Sequence, residues 1–187
     1  MIDFSKKIKK AVVEKSDNPV DIYNGLDRTS VAGPLRASQE MVLSKWYSER
    51  IDDKDVIIKL HTGEGKTLIG LLTLMTNLNR GNSPCIYVCP NKYLVEQVCK
   101  EASKFGIPVC TIGENNQLPN DFVSGNRILV THVQKMFNGK TIFGTGNASE
   151  KVGAIVLDDA HACLDAIRES FVISVKRLSL IHISEPT

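Results

Sequence analysis

The sequence has no apolar run long enough to cross a membrane and no large excess of charge of either sign. A transmembrane helix needs about 20 consecutive, mostly apolar residues, and the lysine-rich start MIDFSKKIKK lacks the apolar segment of a secretory signal. The formal net charge is +2, which is too small to indicate a polyanionic partner by itself. We therefore expect a cytoplasmic protein that does not contact a membrane, and composition leaves nucleic-acid binding open.

Cysteine is also scarce and irregularly spaced. The chain has 5 cysteines, at positions 85, 89, 99, 110 and 163, and no C-x-x-C pair. We therefore expect small buried thiols rather than a metal site or a disulfide framework. Apolar residues make up 42% of the 187 residues and charged residues 24%, which is typical of one soluble globular domain.

Apolar and helical patterns alternate along most of the chain and predict an α/β fold. Short continuous apolar runs occupy residues 55–60, 85–89, 107–112, 127–131 and 152–157, and helical patterns occupy 66–79, 91–105 and 132–138. Continuous apolar runs suit strands that are covered on both faces. We expect a doubly wound, mostly parallel sheet with helices on both faces.

The first 50 residues show a different pattern. A helix is predicted over residues 3–15, a loop over 17–34, and a second helix from Ser38 to Glu49 with Ser38 as its cap. The side chains of Lys6, Lys7, Lys9 and Lys10 lie around the first helix. This helix either contacts phosphates or a membrane, or packs as a solvated helix on the domain edge. We favour the solvated helix, and we interpret the glycine-rich residues 139–150 as a loop or exposed hairpin.

The clearest chemical signal is GEGKT at residues 63–67, which follows an apolar run and opens a long apolar helix pattern. Glycines let backbone N–H groups curve around a phosphate, and the helix N-terminus adds a positive dipole. Lys66 can reach the β- and γ-phosphates, and Thr67 can offer its hydroxyl to Mg²⁺. The general motif has glycine six residues before the lysine, where this chain has Leu60. A glycine-rich turn without a ligand is the alternative.

A second signal is the acidic pair Asp158 and Asp159 at the end of the apolar run 152–157. Carboxylates at the carboxyl end of a central strand lie beside the phosphate loop, where one can hold Mg²⁺ and the next can orient water. The alternative is an acidic cap for a following helix. The upstream GEGKT makes the metal and water roles the preferred interpretation.

Together these segments resemble the first RecA-like domain of superfamily 2 helicases and translocases, the DEAD/DEAH-box group. TGEGKT at 62–67 is similar to that family's first motif, and DDAH at 158–161 occupies the place of its D-E-x-D/H motif. The resemblance implies an ATP site formed by Thr62, Gly63, Glu64, Gly65, Lys66 and Thr67. It also implies that Asp158 and Thr67 hold Mg²⁺ and that His161 couples the nucleotide to the rest of the protein.

Asp159 stands where the family usually has its catalytic glutamate. Because aspartate is one methylene shorter, its reach to an attacking water is reduced.

LRASQ at 35–39 resembles the family's adenine-reading segment, which implies that Gln39 contacts adenine. The segments at 88–98 and 128–137 are similar to later motifs, which implies nucleic-acid backbone contacts by Pro90, Asn91, Lys92 and Thr131. Ordinary strand-to-helix loops are the alternative.

The resemblance implies the N-terminal motor half of an ATP-dependent helicase acting on DNA or RNA, with residues 35–177 as an incomplete RecA-like domain and 1–34 as helix and linker. The family also needs a second RecA-like domain and an S-A-T motif, and the sequence after His161 has no S-A-T.

LSLIHISEPT at 178–187 resembles a translated sequencing adaptor, with a terminal strand as the alternative. A fragment ending this way is expected to bind ATP without hydrolysing it. The rivals are a nucleotide-dependent switch or degenerate ATPase, and a P-loop kinase.

Overall fold

The computed structural model describes residues 15–30, 32–61, 63–113, 117–137, 141, 143 and 151–171. The helix predicted over 3–15, apart from its last residue, lies outside the described residues. The same is true of nearly all of the glycine-rich stretch 139–150 and of the adaptor-like residues 178–187. The structure does not test these three predictions, which therefore stay predictions.

Four parallel strands form the described sheet. They are β1 (Cys85–Cys89), β2 (Val109–Cys110), β3 (Ile128–His132) and β4 (Ala154–Leu157), in the order β2-β3-β1-β4. Every pair is parallel, so a helical segment must cross over between consecutive strands. The α/β prediction is confirmed, although β2 is shorter than the apolar run that predicted it.

Seven helices surround the sheet in the described part of the chain. They are α1 (Pro19–Gly25), α2 (Ala37–Glu49), α3 (Lys66–Asn79), α4 (Lys92–Phe105), α5 (Asn120–Val123), α6 (Val133–Met136) and α7 (Ala160–Ser170). The bounds of α3 match the helical pattern at 66–79, and α4 begins one residue after the start of the pattern at 91–105. Within the described ranges, none of the helices is long and apolar enough to span a bilayer.

Alternate residues of β1 pack into different clusters, which shows that both faces of the sheet are covered. Cys85, Tyr87 and Cys89 lie in the cluster formed with α1 to α4. Ile86 and Val88 lie in a second cluster with residues of α5, α6 and α7. This alternation follows from the two-residue period of a strand. Helices on both faces are therefore a confirmed part of the fold.

Two details of the N-terminal region differ from the sequence prediction. The predicted loop at 17–34 contains α1, because Asn18 accepts hydrogen bonds from the backbone N–H groups of Val20 and Asp21 and Pro19 follows it. Asparagine at the cap and proline in the first turn are both typical of a helix start. Helix α2 begins one residue earlier than predicted, so that Arg36 rather than Ser38 occupies the cap position.

The prediction of a strand at 55–60 is wrong. These residues are irregular, and the side chain of Ile57 is 93% exposed. A strand needs a neighbouring strand to take its backbone hydrogen bonds, and no strand of the described sheet lies beside this run. An apolar run without such a neighbour does not become part of a sheet.

All five cysteines are free, three of them buried and two half-buried. Burial raises the pKa of Cys85 to about 12 and that of Cys163 to about 11. A thiol with such a pKa stays protonated at neutral pH and is a poor nucleophile. The cysteines therefore act as small apolar side chains, as predicted.

Candidate nucleotide-binding site

The glycine-rich loop at residues 63–67, the candidate phosphate loop, adopts backbone conformations that favour glycine. Gly63 has φ of 86° and Gly65 has φ of 75°, both in the left-handed region that glycine enters without a steric penalty. Gly65 occupies the N-cap position of α3, and Lys66 is the first helical residue. The N–H groups of a first helical turn have no partner within the helix, so this turn can donate to an anion. Thr62 lies outside the described residues.

Asp158 follows β4 directly and is anchored to the centre of the sheet, because its backbone N–H donates to the Val88 carbonyl at 2.8 Å. Burial raises the pKa of the Asp158 carboxyl. A hydrogen bond from Tyr87 opposes that increase, the charge of Asp159 adds to it, and the charge of Lys66 opposes it. The lysine of the first motif is therefore near enough to the carboxylate of the second for its charge to lower the pKa of that carboxylate.

Asp159 and His161 lie at the start of α7 and are exposed. Asp159 has φ of 50°, which is unusual for a residue other than glycine. Its Oδ1 accepts a long hydrogen bond of 3.4 Å from the backbone N–H of Ala162 and caps α7. The helix-cap role that was the alternative for the acidic pair is thus present at Asp159. Asp158 instead points to the phosphate loop side of the sheet.

Gln39 connects α2 to the phosphate loop. Its side chain is 6% exposed, its Nε2 donates to the Glu64 carbonyl at 2.9 Å, and its Oε1 accepts from the Arg36 backbone N–H at 3.0 Å. A Cβ atom on Gly65 would collide with the Gln39 Nε2. Beyond these two bonds, the Gln39 amide keeps one N–H to donate and one lone pair to accept. It therefore has the groups needed to hydrogen-bond to a base.

Arg36 is a loop contact that the sequence analysis did not single out. Its guanidinium donates to the Gly63 carbonyl at 2.7 Å. Together, Arg36 and Gln39 hold the carbonyls of Gly63 and Glu64 from one side of the loop. Arg36 lies in the LRASQ segment, but the sequence alone does not reveal its contact with the loop, because the contact joins positions 27 residues apart.

Tyr87 and Glu101 are two further neighbours of the loop that sequence reasoning missed. Burial raises the pKa of both side chains, the Thr67 hydroxyl lowers the pKa of both, and Asp158 raises that of Tyr87. Burial raises the pKa of Glu101, which the Thr67 hydroxyl and Lys104 partly oppose. Tyr87 lies in an apolar run and Glu101 in an amphipathic helix, so each fits an ordinary structural role in the sequence.

The residues present fit a magnesium nucleotide. Mg²⁺ prefers oxygen ligands and, in nucleotide sites, takes one or two groups from the protein and the rest from phosphates and water. The Thr67 hydroxyl, directly after Lys66 in the sequence, and the Asp158 carboxylate supply oxygens of this kind. The glycine turn and the helix start supply donors for phosphate.

The predicted nucleic-acid contacts lie where β1 and β3 end, with Cys89 and His132 in register. Pro90 is half-buried, while Asn91 and Lys92 are exposed. Asn91 Oδ1 caps α4 by accepting from the Leu94 N–H at 3.1 Å, which leaves its amide N–H groups to other partners. Thr131 differs from the other three because it is 3% exposed, so a ligand would reach it only after its surroundings opened.

His132 lies near two lysines at this edge of the sheet. Burial lowers the pKa of His132, and the positive charges of Lys135 and Lys92 lower it further. The histidine is therefore mostly neutral near pH 7, while the two lysines give this edge a positive potential. A phosphate backbone is attracted by such a potential.

Comparisons with known proteins agree with this geometry. The sequence model of the family described as DEAD/DEAH box helicase matches residues 36–185. The chain is 28% identical to the mitochondrial ATP-dependent RNA helicase MSS116 of Phaeosphaeria nodorum, over 90% of this chain and 31% of that protein. It is 27% identical to the DExH-box ATP-dependent RNA helicase DExH13 of Arabidopsis thaliana, over 80% of this chain and 8% of that protein.

A third relative is the U5 small nuclear ribonucleoprotein 200 kDa helicase of Mus musculus, which is 24% identical over 66% of this chain and 6% of that protein. The chain thus spans less than a third of the length of these relatives. No solved structure matches the chain significantly.

Proposed function

Because the chain belongs to the DEAD/DEAH box helicase family, we propose that it contains the ATP-binding motor domain of an ATP-dependent nucleic-acid helicase or translocase. The main supporting observation is that α3, which begins at Lys66, packs against β4, which ends directly before Asp158: a Cβ atom on Gly70 of α3 would lie 3.0 Å from Val156 Cγ1 of β4. The carboxyl edge of a parallel sheet is where open α/β folds bind ligands.

In this proposal each residue of the loop has a defined task. Gly63, Gly65 and the first turn of α3 donate backbone N–H groups to the phosphates, and Lys66 adds its charge there. Gln39 contacts adenine while its bond to Glu64 fixes the loop. Thr62 and Glu64 complete the loop backbone.

Thr67 and Asp158 would hold Mg²⁺, which when bound neutralises charge on the phosphates. We further propose that Asp159 orients the attacking water and that His161 couples the nucleotide site to other parts of the protein. The cap bond and the short side chain of Asp159 restrict its reach, so hydrolysis is expected to be slow. For efficient turnover, a second RecA-like domain would need to supply an arginine to the γ-phosphate. An arginine in that role is worth about 10³ to 10⁵ in rate in related systems.

The nucleic-acid surface of the proposal consists of the loops after β1 and β3. Asn91 and Lys92 are exposed beside Pro90, and Thr131 would contribute after a local opening. The names of the relatives above are those of RNA helicases and a ribonucleoprotein helicase, which favours RNA over DNA as the ligand. A cytoplasmic location is part of the same proposal.

Titration of ATP in the presence of Mg²⁺ by calorimetry tests the nucleotide site. We expect Lys66→Ala to weaken binding by about tenfold to hundredfold, because a charge-assisted contact is worth roughly 1.5–3 kcal/mol. Lys100→Ala, an exposed lysine on α4, is the matched control and should bind like the wild type. Equal affinity of the Lys66 and Lys100 variants would contradict the proposal.

Fluorescence anisotropy with single-stranded RNA and DNA of equal length tests the nucleic-acid surface. Lys92→Ala should lower the slope of log affinity against log salt by about one, the value for one lost phosphate contact, with Lys100→Ala again as the control.

Strong nucleic-acid-stimulated phosphate release by the 187-residue chain would show that no second domain is needed for turnover.

A further inference from the structure

Tyr87 lies at the centre of the sheet on the face that carries Asp158. It is 1% exposed and is in register with Val156 of the neighbouring strand. Because side chains alternate along a strand, Val156 and Asp158 project to the same face as Tyr87. The separation of Val156 and Asp158 along β4 is about 7 Å, which the length of a tyrosine side chain can bridge.

Helix α3 passes directly over the Tyr87 ring. A Cβ atom on Gly70 would lie 2.9 Å from Tyr87 Cε2 and 3.0 Å from Val156 Cγ1, so a larger residue at 70 would displace the ring or the helix. Gly70 is three residues after Thr67, which places the two on the same side of α3. The ring therefore extends between α3 and β4 toward Thr67 and Asp158.

The pKa of Tyr87 responds to both side chains that the proposed function assigns to Mg²⁺. Burial raises this pKa most, the Asp158 carboxylate raises it further, and the Thr67 hydroxyl lowers it. A phenol has one hydrogen to donate and can accept one or more, whereas a carboxylate only accepts. Tyr87 therefore donates to Asp158, and the Thr67 hydroxyl, which has one hydrogen, donates either to Tyr87 or to the Glu101 carboxylate.

We propose that Tyr87 is a positioning residue of the magnesium site, and that its hydroxyl orients the Asp158 carboxylate and the Thr67 hydroxyl from beneath the loop. The inference rests on the proposed function, because it assigns a supporting role within that site. Partners that orient metal ligands from behind typically change metal affinity by 10- to 100-fold. Gly70 belongs to the same arrangement, since its lack of a side chain gives the ring its place.

Tyr87→Phe tests the proposal because it removes the hydroxyl and keeps the ring. Nucleotide affinity is measured by calorimetry with ATP in EDTA and at increasing Mg²⁺, and Mn²⁺ binding to the nucleotide complex is followed by electron paramagnetic resonance. We expect metal-free ATP affinity to stay within about twofold of the wild type, while the metal concentration for half-saturation rises by about tenfold. A purely structural role of the ring predicts no such selective change.

Tyr23→Phe is the matched control. Tyr23 is equally buried, and its hydroxyl donates to the Gly33 carbonyl at 2.6 Å, away from the magnesium ligands. This variant should show the wild-type metal requirement. Gly70→Ala is a second test that keeps the hydroxyl but pushes on the ring, and it should also raise the metal requirement.

Three results would overturn the inference. The first is a wild-type metal requirement in Tyr87→Phe, and the second is an equal loss of ATP affinity with and without metal. The third is an equal change in metal requirement for the Tyr23 and Tyr87 variants. If the wild-type protein binds no nucleotide at all, the proposed function fails and this inference fails with it. Metal-independent nucleotide binding by the wild type would overturn the magnesium site while leaving the nucleotide site intact.

Discussion

Residues 55–60 and strand β1 are both short apolar runs, yet only β1 is part of a sheet. All five residues of β1 are buried, and the strand pairs with β3 on one edge and β4 on the other. Residues 55–60 pair with no described strand, and Ile57 is 93% exposed. Apolar composition makes a run able to enter a sheet, and hydrogen-bonding neighbours on its edges decide whether it does.

Strand β4 lies between these two cases. It pairs with β1 on one edge, and the described sheet has no strand on its other edge. Ile155 is the register partner of Ile86, but Ile155 is 49% exposed whereas Ile86 is fully buried. The same side chain therefore has three levels of burial at positions 86, 155 and 57, which allows a comparison at constant chemistry.

The largest effect is expected at the centre of the sheet. Ile86→Ala should lower the free energy of unfolding by about 2–5 kcal/mol, because it leaves a cavity in a close-packed core. Urea denaturation followed by circular dichroism measures this loss. Ile57→Ala is the control at the exposed run and should change stability by no more than about 0.5 kcal/mol. Equal losses at both positions would show that residues 55–60 are buried in solution.

A smaller effect is expected at the edge of the sheet. Ile155→Ala should destabilise the protein by about 1 kcal/mol, because roughly half of the side chain is already in contact with water and less apolar area is lost from the interior. The same urea titration ranks it between the other two variants. A loss as large as that of Ile86→Ala would mean that another part of the chain covers the open edge of β4.

The parts of the fold that could be predicted are those in which local and long-range signals agree. Helices α3 and α4 have apolar periodicity together with a glycine or asparagine at the start, and the structure has α3 at its predicted bounds and α4 within one residue of them. Helix α1 was missed because its seven residues are too few for a periodic pattern, although Asn18 and Pro19 gave a start signal.

The candidate site divides in the same way. The loop at 63–67 and Asp158 could be identified because glycines, lysine and carboxylate at these positions have a specific chemical meaning. Arg36, Tyr87 and Glu101 could not, because their roles arise only when distant segments meet at Gly63 and Thr67. Thr131 was predicted as a surface contact from its motif, but the packing of β3 buries it.

The central claim is that the loop at 63–67 and the segment beginning at Asp158 form one site for a magnesium nucleotide. Hydrogen exchange with mass spectrometry, with and without Mg²⁺ and ATP, tests it most directly. We predict that peptides covering 63–67 and 158–161 gain protection together, that β1 exchanges slowly in both conditions, and that residues 55–60 exchange rapidly in both. Protection of only one of the two segments, or of neither, would contradict the claim.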